Sequence, residues 1–188
     1  MKLLVLDNYD SFTYNLVHLI EKVSAIDFDV IRNDKITLNE VSSYNKILLS
    51  PGPGLPKHAG IMPELLKKHS ASKSILGVCL GLQAIGECFG ATLKNLDTVF
   101  HGIATPINII KEDLIFKNCP TTFTVGRYHS WVIHTNQLPD GLEITAEDSD
   151  GNIMALKHKI YDVRGVQFHP ESILSEFGEV MIKNWLES

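Results

Sequence analysis

Ile75-Leu76-Gly77-Val78-Cys79-Leu80-Gly81-Leu82-Gln83 decides the reading of this 188-residue chain. Residues 75–78 form an apolar run of buried-strand type. From Leu80 to Phe89 the apolar positions fall at helical spacing, and Gly90 stops the pattern. The cysteine sits at the junction with a glycine two residues to either side. That spacing reads as a nucleophile on a sharp strand-to-helix turn, the thiol counterpart of the G-x-S-x-G elbow. A helix N-terminus aims free N–H groups and a partial positive charge at the sulfur, which favours thiolate.

Outward from this turn the chain repeats the same alternation. Leu3–Leu6, Phe28–Ile31, Lys46–Leu49 and Ser74–Val78 read as short strands. Between them lie a helix with Phe12, Leu16, Leu19, Ile20 and Val23 on one face, capped by Asp10 or Ser11, and a second helix over Ile61–His69 with Pro63 in its first turn. Strands joined by crossovers of helical length imply a parallel sheet with helices on both faces. After Gly90 the segments Ala104–Ile110, Phe123–Val125, Leu142–Ala146, Ile153–Lys157 and Val163–Phe168 read as antiparallel additions to the same sheet, and Ser175–Leu186 as a closing helix. The length suits one domain, residues 1–188. In such sheets sites form at the C-terminal strand ends, so Asp7-Asn8, Ser50–Gly54 and Cys79 should converge on one edge.

Composition excludes several classes. The chain is 44% hydrophobic and 21% charged, with a formal net charge of −5, which is ordinary for a globular protein. No basic block points to nucleic acid, and no apolar run nears the roughly 20 residues of a membrane span. Met1–Asp7 lacks the length and cleavage site of a signal peptide. Three cysteines without metal-type spacing argue for a reducing compartment, the cytoplasm or a plastid stroma. The eight histidines show no paired-ligand spacing, so no metal site is expected.

A cysteine nucleophile needs a base. Val166-Gln167-Phe168-His169-Pro170-Glu171-Ser172 supplies the leading candidate. Pro170 favours an extended conformation at His169, and residues i and i+2 of an extended chain share a side. Glu171 can then orient the imidazole and stabilise its cation, as the acid of a triad does. Ser50-Pro51-Gly52-Pro53-Gly54 is a rigid turn whose Gly52 N–H, with that of Leu80, suits an oxyanion. Gln83 lies one helical turn after Cys79 and faces the same way. His129-Ser130-Trp131 reads as a pocket wall. Cys88 reads as core and Cys119 as incidental. Asn8–Thr13 raises a rival, a flavodoxin-like binding module with a phosphate at the first helix, though the loop has no glycine and its aromatics would crowd a phosphate. A second rival is a stand-alone γ-glutamyl hydrolase.

Asn8–Asn15 (NYDSFTYN), Ser50–Gly54 (SPGPG), Gly77–Gln83 (GVCLGLQ) and Gly165–Ser172 (GVQFHPES) together resemble the class I glutamine amidotransferases. The similarity is closest to the small subunits of anthranilate synthase and aminodeoxychorismate synthase. The resemblance implies a flavodoxin-like α/β domain that hydrolyses L-glutamine and delivers ammonia to a chorismate-binding large subunit, anthranilate being the favoured product. It implies Cys79, His169 and Glu171 as catalytic triad and Gly52 and Leu80 as oxyanion donors. It places glutamine against Gly52, Pro53, Gly54, Gln83, Ser130 and Trp131. It implies no cofactor in this chain and Mg2+ in the partner. Two positions depart from the family pattern. Leu82 stands where histidine is common, which implies altered packing without loss of activity. Trp131 stands where leucine is usual, which is tolerated if the contact there is made by backbone.

Overall fold

The computed structural model describes residues 1–188, apart from the side chain of Gln137. The chain runs β1 (Lys2–Asp7), α1 (Thr13–Val23), β2 (Asp27–Arg32), α2 (Leu38–Val41), β3 (Lys46–Leu49), α3 (Met62–His69), β4 (Ser74–Val78) and α4 (Leu80–Cys88). It continues through β5 (Leu93–Asn95), β6 (Ile103–Ile109), β7 (Thr122–Arg127), β8 (Trp131–Ile133), β9 (Leu142–Glu147), β10 (Ile153–His158), β11 (Val163–Val166) and α5 (Gly178–Leu186).

Nine strands form one sheet in the order β2-β1-β3-β4-β11-β10-β9-β6-β7. The first five of that order are parallel to one another, and each later pair is antiparallel. Side chains alternate across the strands, and the two faces collect different helices. Leu3, Val5, Leu48, Leu76 and Val78 pack with Leu16 and Ile20 of α1 and Met181 and Trp185 of α5. Leu4, Leu6, Ile47, Leu49 and Ile75 pack with Val41 of α2, Leu65 and Leu66 of α3, and Leu82 and Ile85 of α4. This is the mixed α/β architecture expected, with helices on both faces of a largely parallel sheet.

The second half departs from expectation in two places. Residues 163–168 are an antiparallel addition on one side only, where β11 pairs with β10. β11 ends at Val166 and lies parallel to β4, with Gly165 opposite Gly77. Only glycine fits there, because a Cβ on Gly165 would stand 2.9 Å from the Gly77 carbonyl oxygen and 3.1 Å from the Leu82 Cα. All five of the later segments join the main sheet, and two further short strands the sequence did not mark, β5 and β8, pair with each other in a separate two-stranded ribbon.

Two helix starts also differ. Neither Asp10 nor Ser11 is the N-cap of α1. Phe12 holds that position without a side-chain bond, and Asp7 orders the loop instead, its Oδ1 accepting from the Tyr9 N–H and the Thr13 hydroxyl at 2.9 Å each. α5 begins three residues later than Ser175, after Phe177 in the left-handed region at φ 58°. The Ser175 hydroxyl is occupied elsewhere, accepting from the Gly126 N–H at 2.9 Å.

Candidate active site

Cys79 falls at the end of β4 with φ 53° and ψ −100°, a conformation costly for any residue with a Cβ. Its neighbours show why the sequence must read G-x-C-x-G. A Cβ on Gly77 would stand 2.4 Å from the Gly81 carbonyl carbon, and one on Gly81 would stand 2.6 Å from the Leu49 oxygen. The turn is pressed between two strands, and its own N–H is spent on the Val166 carbonyl at 2.8 Å. That bond ties the nucleophile's backbone to β11, the strand that leads to His169.

The expected convergence of strand ends is present. Asn8 donates its backbone N–H to the Ser50 hydroxyl at 2.9 Å and its amide to the Ser50 carbonyl at 2.8 Å. Gly52 lies under this contact, where a Cβ would meet Asn8 Cβ and Leu80 Cδ2 at 2.7 Å each. Gly52, Pro53, Gly54, Cys79, Leu80, Gln83, Ser130 and Trp131 all line one cavity of about 230 Å³, with Tyr128 and His129 beside them. A larger groove of about 820 Å³ runs past Asp113, Tyr161 and Arg164 and includes none of these residues.

His169 and Glu171 are brought together. The imidazole Nδ1 donates to Glu171 Oε1 at 2.7 Å, with both side chains buried. The local geometry is a turn and not the extended run predicted, for the Ser172 N–H returns to the His169 carbonyl at 3.1 Å. Phe12 and Tyr128 pack edge-on against the imidazole with ring centroids 5.1 Å and 4.9 Å away. Nε2, the nitrogen left for chemistry, is buried and makes no hydrogen bond of ordinary geometry. Burial pushes the imidazole down, but the Cys79 thiol and the Glu171 carboxylate outweigh it and raise His169 to about 10.

That shift has a signed consequence. The folded value lies above the ordinary 6.5, so the imidazolium stabilises the fold fully below about pH 6.5 and loses that contribution as pH rises through about 10. The gap in urea midpoint between the native chain and His169→Asn should therefore shrink steadily from pH 7 to pH 10. A gap that stays constant would show that the imidazolium is not the resting form.

One polar residue at the site was not singled out from the sequence. Gln167 is fully buried, and its Nε2 lies 3.5 Å from Cys79 Sγ. Its Oε1 accepts from Gln83 Nε2 at 3.3 Å, and the same nitrogen donates to the Trp131 carbonyl at 2.9 Å. The available signal was a polar side chain two residues before His169 in an otherwise apolar run. The two departures from the family pattern are also placed. Leu82 is buried in the core against Gly165, and the contacts of Trp131 with Gln83 and His129 run through its backbone oxygen. Cys88 and Cys119 are half-buried, and burial pushes both thiols up.

The first loop does not offer an anion site. Asp7 takes the Tyr9 N–H and Asp10 takes the Phe12 N–H at 2.7 Å, so carboxylates already fill the place a phosphate would need. Residues 4–188 match the glutamine amidotransferase class-I family model. The chain belongs to the class I glutamine amidotransferase family. This amidotransferase is 42% identical to anthranilate synthase component 2 of Pseudomonas putida, over 100% of this chain and 97% of that one. It is also 42% identical to aminodeoxychorismate synthase component 2 of Klebsiella aerogenes, over 98% of each. Among solved structures, a Thermoplasma acidophilum protein provisionally described as part of a GMP synthase superposes with a TM-score of 0.88 at 25% identity. That match covers 100% of this chain and 92% of the other. The amidotransferase is of the anthranilate or aminodeoxychorismate synthase type. Among the described residues, no helix is long and apolar enough to cross a membrane.

Proposed function

We propose that this amidotransferase hydrolyses glutamine through a thioester on Cys79 and passes the ammonia to a chorismate-binding partner protein that makes anthranilate. The observation that carries the reading is the strained Cys79 turn at the cavity that Gly52, Leu80 and Gln83 line, with the buried His169–Glu171 pair whose imidazole Cys79 acts on. Cys79 sulfur attacks the side-chain amide carbon, and the oxyanion is held by the Gly52 and Leu80 N–H groups. Leu80 opens α4, so its N–H has no partner within the helix. His169 enters as imidazolium and gives its Nε2 proton to the amide nitrogen, the C–N bond breaks, and ammonia leaves. The neutral imidazole then takes a proton from water as the oxygen adds to the thioester carbon. The C–S bond breaks and returns the Cys79 thiolate, the new acid gives its proton to solvent and departs as glutamate, and His169 is again imidazolium.

Ammonia that reached bulk water would be protonated and lost as a nucleophile. That favours docking, a shielded passage and gating by the partner. The P. putida relative supports anthranilate as the product. The equally similar K. aerogenes relative supports aminodeoxychorismate. The chemistry in this chain is the same for both. The test is reconstitution with each candidate chorismate-binding subunit in turn, supplied with chorismate, Mg2+ and glutamine. Anthranilate from glutamine with the first partner is the expected result. If neither partner forms product from glutamine while both form it from added ammonia, the reading fails.

A further inference from the structure

We infer that Gln167 is a positioning residue for the nucleophile, its side-chain amide held by a buried relay so that an N–H always faces Cys79 Sγ. The inference rests on the reading of Cys79 as nucleophile and goes beyond it. The orientation of a side-chain amide or an imidazole must be deduced from its neighbours, and here two neighbours leave no choice. The Trp131 carbonyl can only accept, and it is met by both Gln83 Nε2, at 2.9 Å, and His129 Nδ1, at 3.1 Å. Gln83 must therefore turn its nitrogen that way, and His129 must carry its proton on Nδ1. At the far side of His129, Arg127 can only donate, and its Nε does so to His129 Nε2 at 3.2 Å. Burial and the Arg127 guanidinium push His129 down to about 3, so the ring is neutral and its single proton is the one on Nδ1.

The polarity then propagates. The second hydrogen of Gln83 Nε2 points at Gln167 Oε1, 3.3 Å away. Gln167 accepts on oxygen at that end and is left with its nitrogen toward Cys79, 3.5 Å from the sulfur. Flipping Gln167 would set oxygen against sulfur and nitrogen against nitrogen, losing both contacts. The relay is anchored outside the cavity by Arg127, whose Nη1 pairs with Asp148 at 2.8 Å with both side chains buried. A donor aimed at sulfur stabilises the charged form that attacks, and an amide hydrogen bond to an ionised group is worth more than one between neutral groups. It also fixes where the sulfur lies relative to the Gly52 and Leu80 amides. A second consequence concerns Gln83. Both of its amide hydrogens are engaged, so it offers a ligand in the cavity only its oxygen, an acceptor for a substrate N–H.

The test reads thiol alkylation by chloroacetamide, a neutral probe, with each cysteine followed separately by mass spectrometry. Gln167→Met keeps the length and removes the donor. Its Cys79 alkylation should fall about tenfold at pH 7, with Cys88 and Cys119 unchanged as internal references. Gln167→Glu keeps the shape and donates only when protonated, so its Cys79 rate should lie lower still at pH 7 and recover relative to the native chain as the pH falls. With glutamine as substrate, kcat of Gln167→Met should fall with KM held to about twofold. An unchanged Cys79 rate in Gln167→Met would overturn the assignment. So would a loss accompanied by rising alkylation at Cys88 and Cys119, which marks a structural role alone. Alkylation needs no glutamine, so a native chain inactive on glutamine even when reconstituted with a chorismate-binding subunit would refute the proposed function while the Cys79 rates still decided the role of Gln167.

Discussion

Cys79→Ala should lower glutamine hydrolysis on the order of 10⁶-fold, the scale of loss when the nucleophile of a triad is removed, and leave ammonia-driven synthesis by the partner protein intact. The contrast between the two nitrogen sources separates loss of the thioester from loss of the complex. The backbone adds a second observable. Cys79 holds φ 53° and ψ −100°, which alanine cannot adopt more easily than cysteine, while glycine can. Cys79→Gly should therefore be as inactive as Cys79→Ala yet melt at a higher temperature. Equal melting temperatures would mean that the turn stores no strain. Glutamine turnover surviving in either variant would remove Cys79 from the mechanism.

Gly178→Ala should be the most damaging single methyl group in the chain. A Cβ there would stand 1.9 Å from the Pro170 carbonyl oxygen and 2.8 Å from its carbonyl carbon. Both are backbone atoms, so no side chain can swing aside. The first turn of α5 must move away from the Pro170 turn, at a cost of about 3 kcal/mol, the upper part of the usual range for overpacking. In a chain of this length that corresponds to a melting point lower by about 6–12 °C. Activity should suffer more than stability suggests, because Pro170 lies between His169 and Glu171 and a displacement of about 1 Å there costs about a hundredfold in rate. Gly151→Ala is the control. Gly151 has a positive φ of 75°, which Gly178 does not, but nothing stands within 4 Å of its Cβ position, so only the left-handed backbone penalty of about 1–2 kcal/mol applies. Thermal melts and kcat for the two variants decide the matter, and equal effects would show that the contact with Pro170 yields easily.

The parts of this fold legible in the sequence are those where one residue type admits one explanation. Gly77 and Gly81 around Cys79 had to mean close approach, and the backbone atoms at 2.4–2.6 Å are that approach. The pairing of His169 with Glu171 was legible although its local geometry was misjudged, because a turn and an extended chain both bring i and i+2 together. The direction of β11 against β4 was not legible. The four residues of β11 carry no mark of parallel pairing, and the single clue, Gly165, is interpretable only once Gly77 and Leu82 are seen against it. β5 and α2 escaped for another reason. The three residues of β5 are exposed or half-exposed and show no alternation, and α2 has four residues held by the reciprocal bonds of Thr37 and Glu40. The cap of α1 was misassigned because Asp7, three residues upstream of Asp10, orders the loop from the end of a strand.

The position of β11 bears on how the molecule comes to exist. The strand beside β4 in the middle of the sheet is supplied by residues 163–166, which are synthesised after every other strand of that sheet. Until they arrive, the open edge of β4 is an unpaired template for other chains. A pairing across so long a stretch of chain carries a high loop-closure cost and is slow. The same insertion brings up His169 and gives the Cys79 N–H its acceptor on Val166. Maturation of the reactive centre and closure of the sheet are thus a single event, and a nascent chain holds its cysteine without a base until the last strand of the sheet has been made.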